Sequence, residues 1–224
     1  MKTFVFIGGN SDVALHSRAL LEASGHKIIS VSRSVEGGGK SHLYGDPVQN
    51  DLPEIDEQID GLVYFPGSIT LKPFRSMKQA DLQSDLEINV LGAFHSIQRY
   101  LPKMNEGSSI VLFSTVAVQT GMPFHSSVAV SKGAIEGMTR ALAAEFAPKI
   151  RVNCIAPSLT NTKLASKFLS SPEKAEASAQ RHPLKKVGTV DDLSGSLLFL
   201  LGETSSWMTG QVLHIDGGLS SLRV

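Results

Sequence analysis

Short apolar runs alternate with longer segments of helical periodicity along the chain. Residues 4–7, Phe-Val-Phe-Ile, are β-formers stopped by Gly8 and Gly9, which predicts a buried strand. Residues 13–24 predict a helix, with Gly25 as its stop. Residues 27–31 predict a second strand, 42–44 a weak third, 55–59 a helical turn or short helix, and 62–65 a fourth strand. Across 80–103, Leu82, Leu86, Val90, Phe94, Ile97 and Leu101 recur at helical spacing, so one long helix is expected. A strand at 110–113, a helix at 127–146 and a strand at 150–155 follow. One or two helices within 166–201 and a strand at 211–215 close the pattern. Strand–helix alternation with near-continuous apolar strands predicts an α/β fold, a doubly wound parallel sheet with helices on both faces.

Composition narrows the partners. A chain of 224 residues with 42% hydrophobic content suits one domain, 1–224, with a sizeable core. Lys plus Arg and Asp plus Glu both number 21, so no basic stripe for nucleic acid is expected. Small molecules or further copies of the chain are the expected partners. Cys154, the single cysteine, lies in an apolar strand pattern and reads as a small buried core residue, compatible with a reducing, cytoplasmic setting. The apolar run after Met1 is too short for a signal peptide and no run approaches a membrane span, so no membrane partner is expected. No metal site is expected. The three glycines within 34–40 read as a surface loop.

Candidate chemistry centres on residues 109–132. A strand ends in hydroxyls at Ser114 and Thr115, a loop broken by Gly121 and Pro123 follows, and the next helix carries Lys132 on its first turns. A hydroxyl at the carboxyl end of a strand, with a lysine on the following helix, is where an α/β domain would carry out redox chemistry. The turn Gly8-Gly9-Asn10-Ser11-Asp12-Val13 lies between the first strand and first helix, where free amides and the helix dipole favour a phosphate. A plain tight turn is the competing reading. Asp12 brings a negative charge there, and capping the helix is its expected role. Ser32 and Arg33 follow the second strand, where a dinucleotide's adenosine ribose would lie. An arginine fork there matches a 2′-phosphate, favouring NADP(H) over NAD(H); the alternative is an ordinary exposed arginine.

Taken together, these motifs resemble the short-chain dehydrogenase/reductase superfamily, of the compact single-domain Rossmann type, over nearly the whole length. Residues 7–14 are similar to that family's Thr-Gly-x-x-x-Gly-x-Gly, with Asp12 and Ala14 at the later glycines. Pro66 and Gly67 close the segment that stands at its Asn-Asn-Ala-Gly, keeping only the glycine. Ile88-Asn89-Val90, Ser131-Lys132-Gly133-Ala134, the run from Arg151 through Pro157 to Thr162, Pro183-Leu184 with Gly188, and residues 209–218 resemble further family segments in the same order.

The resemblance implies hydride transfer between a nicotinamide cofactor and a small-molecule carbonyl or alcohol. In the family a tyrosine exchanges the proton, and a lysine four residues later lowers its pKa and holds the nicotinamide ribose. A serine binds the substrate oxygen and an asparagine fixes a relay water. A phenol with pKa of about 10 does need a nearby cation to work near neutrality. On this chain the asparagine falls on Asn89, the serine on Thr115, the lysine on Lys132 and the tyrosine on Val128, which has no proton to give. No tyrosine occurs after Tyr100. His125 is the first candidate for a replacement acid, against a reading in which it only lines the loop or pocket; Tyr64, Ser126 and Ser127 rank lower.

The resemblance further implies cofactor contacts at Gly8, Asn10, Ser11, Asp12, Val13, Ser32, Arg33, Asp46, Pro66, Gly67, Lys132, Pro157, Thr160 and Thr162. Asp46 would meet adenine, with Pro47 lacking an N–H beside it, and Thr160 and Thr162 would meet the carboxamide. Ser158 stands at a usual glycine, residues 161–180 resemble a variable substrate-covering loop, and His182 reads as a surface residue. Residues 46–60 are short for the family, so a covering helix there is expected to be truncated. The expected activity is an NADP(H)-dependent oxidoreductase with an altered proton donor, NAD(H) being second choice. The alternative is an NADP(H)-binding sensor or scaffold. A homodimer or homotetramer through the two long helices is the family-level expectation.

Overall fold

The computed structural model describes residues 1–34 and 41–223, so the surface loop expected at 34–40 lies, beyond Ser34, outside the described residues. The chain runs β1 (Thr3–Ile7), α1 (Asp12–Ala23), β2 (Lys27–Ser32), β3 (His42–Tyr44), β4 (Ile59–Tyr64), α2 (Gln79–Leu86) and α3 (Gly92–Tyr100). It continues through β5 (Met104–Phe113), α4 (Ala117–Thr120), α5 (Ser126–Phe146), β6 (Ile150–Pro157), α6 (Pro172–Gln180), α7 (Val190–Leu201) and β7 (Val212–Ile215). All seven strands pair in parallel in the order β3-β2-β1-β4-β5-β6-β7. The winding reverses between β1 and β4, where Ile7 is flanked by Val31 and Tyr64, the place at which a doubly wound sheet puts its crevice beyond the strand ends.

Period-2 alternation divides the strands between two cores. Phe4, Phe6, Val63, Val111 and Ile155 face Val13, Ala14 and Leu21 of α1 and Leu193, Leu197 and Leu200 of α7. Val5, Ile7, Leu62, Ile110, Leu112 and Cys154 face Ala93, Ile97 and Tyr100 of α3 and Ile135 and Ala143 of α5. Cys154 is a fully buried free thiol, as its apolar setting predicts, and burial pushes it up to about 12.

The structure departs from the pattern in three places. Residues 55–59 form no helical turn: Leu52 and Ile55 reach into the core from irregular chain, and among the described residues no helix lies between β3 and β4. The expected long helix at 80–103 is instead α2, a π-helical turn (Glu87–Leu91) and α3, ending in a 3₁₀ turn (Leu101–Lys103). In the wide turn the Gly92 N–H donates five residues back, to Glu87 O. The face turned inward is also not the leucine stripe. It carries Asp85, Asn89, Gly92, Ala93, Ser96, Ile97 and Tyr100, whereas Phe94 is 49% exposed. The expected helices of 166–201 resolve into α6 and α7, and the latter starts with a Thr189–Asp192 capping box.

Candidate active site

The β1–α1 turn brings its backbone close against Pro66. Gly8 adopts φ +75°, and a methyl there would lie 2.8 Å from Pro66 Cδ, so only glycine fits. Its N–H donates to Val31 O at 2.8 Å, holding the turn against β2. Ser11, not Asp12, caps α1: its Oγ accepts from Ala14 N at 3.3 Å. The expected capping role for Asp12 is corrected. Its carboxylate lies across the crevice, accepting from the Lys163 N–H at 2.6 Å with Lys163 Nζ 3.8 Å away, so its charge is partly met by the loop after β6. Val13 buries its side chain in the core, and by helix geometry the N–H groups of Asp12 and Val13 remain for a ligand.

Asn10 Nδ2 and Ser32 Oγ both donate to Ser34 O, at 2.8 and 2.6 Å, fixing the chain after β2. Among the described residues Asn10 Oδ1 is buried without a partner, an acceptor suited to a hydroxyl donor. Arg33 is exposed beside them. Asp46 spends Oδ1 on the Val48 N–H at 2.9 Å, and its own N–H and carbonyl pair with Asp51.

Lys132, Asn89 and Gly67 converge at the crevice. Lys132 projects from α5 and donates from Nζ to the Phe113 carbonyl, the last of β5, at 2.9 Å. It is 7% exposed, and burial pushes its ammonium down to about 8, against the opposing pull of the Asp85 carboxylate. Asn89 stands in the π-helical turn, fully buried, with Nδ2 donating to Asp85 O and to Ser68 Oγ, both at 2.8 Å. A methyl at Gly67 would lie 3.5 Å from both Asn89 Oδ1 and Lys132 Nζ, so the amide and the ammonium face one small cradle. Thr115 is half-buried just beyond β5, its Oγ1 accepting from Ala117 N at 3.4 Å. Its neighbour Ser114 is turned away into a 2.8 Å bond to Glu136.

Of the groups weighed as replacement acids, Tyr64 is withdrawn. It is 2% exposed, donates to Ile88 O at 2.6 Å, and burial raises its phenol well above the usual range. Gly92 makes that position possible, since a methyl there would overlap the Tyr64 hydroxyl. Val128 is 4% exposed. His125 stands at the N-cap of α5 and directs Nδ1 to Pro123 O at 2.7 Å, within its own loop. Ser127 is not a cap: its Oγ donates to the Asp85 carboxylate at 2.6 Å.

Asp85 was not singled out in the sequence. It is 1% exposed and receives three hydroxyls, Ser68 at 2.5 Å, Thr70 at 3.0 Å and Ser127 at 2.6 Å. A carboxylate four residues before Asn89, on the same helical face, was the available signal.

Beyond β6, Pro157 ends the strand, and Thr160 pairs with Gly188 while its hydroxyl donates to Ser158 O at 3.0 Å. Thr162 donates to Thr160 O at 3.4 Å and precedes the 3₁₀ turn Lys163–Phe168. His182 is buried rather than on the surface: Nδ1 bonds Ser178 O and Nε2 bonds Ser158 Oγ, each at 2.8 Å. The backbone carbonyl can only accept, so Nδ1 carries a hydrogen, and the ring pins the loop to α6. Among the described residues no helix is long and apolar enough to cross a membrane, and no group of acidic, histidine or cysteine residues could hold a metal.

A family model described as enoyl-(acyl carrier protein) reductase matches residues 47–220. The chain belongs to the short-chain dehydrogenase/reductase superfamily. Over 166 residues it is 38% identical to the 3-oxoacyl-[acyl-carrier-protein] reductase FabG of Thermotoga maritima, covering 72% of this chain and 66% of that protein. It is 35% identical over 149 residues to the short-chain dehydrogenase/reductase SDRA of Arabidopsis thaliana, covering 66% of this chain and 59% of the relative. The matches thus span under two thirds of those two relatives. Among solved structures, ElxO with NADP bound is 25% identical and overlays with a TM-score of 0.88, covering 99% of this chain and all of that one. A tyrosine-to-phenylalanine variant of ElxO with NADPH bound, also 25% identical, overlays at 0.84 with the same coverage, 99% and 100%. These relatives are oxidoreductases of the superfamily, whose members bind NAD(P) and act on small molecules.

Proposed function

We propose that this chain is an NADP(H)-dependent oxidoreductase that interconverts a small carbonyl compound and its alcohol, using a proton donor other than a tyrosine. The observation that carries the reading is the cradle at Gly67, where the Asn89 amide and the Lys132 ammonium each stand 3.5 Å from the position of an added methyl. The residues present fit the dinucleotide. The backbone at Gly8 and the N–H groups of Asp12 and Val13 suit a pyrophosphate, Ser11 having capped the helix itself. Asn10 Oδ1 offers an acceptor to ribose, Arg33 a fork to a 2′-phosphate, and Lys132 a donor to the second ribose. Pro157, Thr160 and Thr162 would border the carboxamide, and Pro66 and Gly67 the floor. When bound, the nicotinamide supplies or accepts the hydride.

What the chain itself supplies is orientation and a polar oxygen site at Thr115, Asn89 and Lys132. Losing the phenol slows such a reaction without forbidding it, since general acid assistance is worth about 10²–10⁴-fold. That an ElxO variant with a phenylalanine in place of a tyrosine holds NADPH supports separating nucleotide binding from the phenol.

A second reading, an NADP(H)-binding sensor or scaffold, is favoured by Val128, which puts a buried aliphatic group where the acid would stand. The oligomer proposed is a homodimer or homotetramer. Leu91, Phe94 and Val130, 46%, 49% and 54% exposed, give the outer faces of α3 and α5 and the turn before α3 apolar surface to cover. Absorbance of NADPH followed against a panel of aldehydes, ketones and quinones separates the functions. Oxidation of NADPH supports the enzyme; NADPH binding with no oxidation by any of them supports the sensor.

A further inference from the structure

Two segments bring hydroxyls onto the buried Asp85 carboxylate of α2: Ser68 and Thr70 from the chain after β4, and Ser127 from α5. Among the described residues no cation forms an ion pair with Asp85. Lys132 acts on Asp85 through space without touching it, so the direct partners of this buried carboxylate's oxygens are hydroxyls, an arrangement that asks for an explanation. Ser127 is enclosed, whereas Ser68 and Thr70 are half-buried, and of the three it is Ser68 that follows Gly67 directly and is held by Asn89. Asn89 grips it from both sides, Nδ2 donating to Ser68 Oγ at 2.8 Å and Oδ1 accepting the Ser68 N–H at 3.4 Å. A hydroxyl has one hydrogen and two lone pairs. In Ser68 the hydrogen goes to Asp85 and one lone pair to Asn89, which leaves the second lone pair for a ligand.

We propose that Ser68, backed by Asp85, is the acid–base couple that this chain uses in place of the tyrosine. The proposal rests on the oxidoreductase reading above. In alcohol oxidation the substrate O–H would donate to the open lone pair of Ser68. The bound nicotinamide would take up the hydride of the carbinol carbon, and the O–H electron pair would become the second bond of the carbonyl. The substrate proton moves to Ser68 Oγ, and the Ser68 proton moves to Asp85 Oδ1. In carbonyl reduction the same protons run in reverse, from the Asp85 carboxyl through Ser68 to the substrate oxygen, so charge and atoms balance in both directions. Ser68 is the catalytic residue of the couple. Asp85 acts through it as a positioning and proton-holding residue, with Thr70 and Ser127 keeping its oxygens in place. The polar inward face of α2 and the π-helical turn at Asn89 are then one device, since the turn sets the amide that holds Ser68.

The test uses the full chain with NADPH and whichever carbonyl of the panel the wild type reduces fastest. Ser68→Ala and Asp85→Asn should each lower kcat by about 10²–10⁴-fold while the NADPH dissociation constant stays within threefold. Ser68→Thr should keep most of the rate. Val128→Tyr placed in the Ser68→Ala background should restore much of what was lost. In the protein without substrate, a downfield hydroxyl-proton NMR signal should be present and should vanish in both Ser68→Ala and Asp85→Asn. An unchanged kcat in Ser68→Ala, in a protein whose urea midpoint shows it folded, overturns the couple. So does a wild type that binds NADPH yet reduces nothing, or a parallel loss of NADPH binding and rate. A wild type that does not bind NADPH overturns the oxidoreductase reading itself, which is a separate failure.

Discussion

Lys132 Nζ donates to the Phe113 carbonyl across 2.9 Å, so the buried amine is tied to the end of β5 rather than to a carboxylate. Burial lowers its pKa from 10.5 to about 8. Below about 8 the folded and unfolded chains both hold the proton, and the folded one bears the full cost of burying it. Between about 8 and 10.5 the unfolded chain binds more protons, so this residue's contribution to stability rises with pH. Thermal melts of the wild type and Lys132→Met should therefore diverge in the wild type's favour from pH 8 to 10. A constant difference in Tm contradicts the assignment.

Arg33 is exposed just after β2, and the proposed function gives it a 2′-phosphate to meet. A charge-assisted bond contributes about 1.5–3 kcal/mol, so Arg33→Ala should weaken NADPH by roughly 10- to 100-fold. NADH, lacking the phosphate, should change little. Equal losses for both nucleotides in calorimetry would remove the basis for the NADP(H) preference.

Gly8 combines φ +75° with a methyl-to-Pro66 approach of 2.8 Å. Gly8→Ala should destabilise by about 1–3 kcal/mol, measured as a shift of the urea midpoint at unchanged m. Nucleotide binding should fall with it, because the displaced turn is the one that would meet the pyrophosphate.

Gly92 and Tyr64 share one space, the phenol lying where a side chain at 92 would start. Gly92→Ala should cost about 1–3 kcal/mol by overpacking and free the Ile88 carbonyl of its hydroxyl. Adding Tyr64→Phe removes the clashing oxygen, so the double variant should lose less than the sum of the two singles. Simple additivity in chemical denaturation would show that the two do not compete.

Much of the sheet was legible because its strands are buried on both faces and read as plain apolar runs, as at Phe4 to Ile7 and Ile110 to Phe113. The helix before β5 was harder. Its leucine-rich stripe is regular, yet the inward face is built from Asp85, Asn89, Gly92 and Ser96, which periodicity treats as the solvent side. The π-helical turn leaves no trace in spacing, because it adds a single residue to one turn. Asn89, Gly67 and Lys132 could be named from a resemblance; that they share one cradle required coordinates. The Asp85 hydroxyl cage joins positions 68, 70, 85 and 127, a relation that only tertiary structure creates. Asp12 and His182 depart from expectation for the same reason, each being paired with chain far away in sequence, at Lys163 and Ser158.

The central claim is NADP(H) binding at the crevice of β1 and β4, and fluorescence titration of the purified chain with NADPH and NADH tests it most directly. Saturable NADPH binding, tighter than NADH and weakened by Gly8→Ala, is the expected result. Failure of both nucleotides to bind would contradict the account.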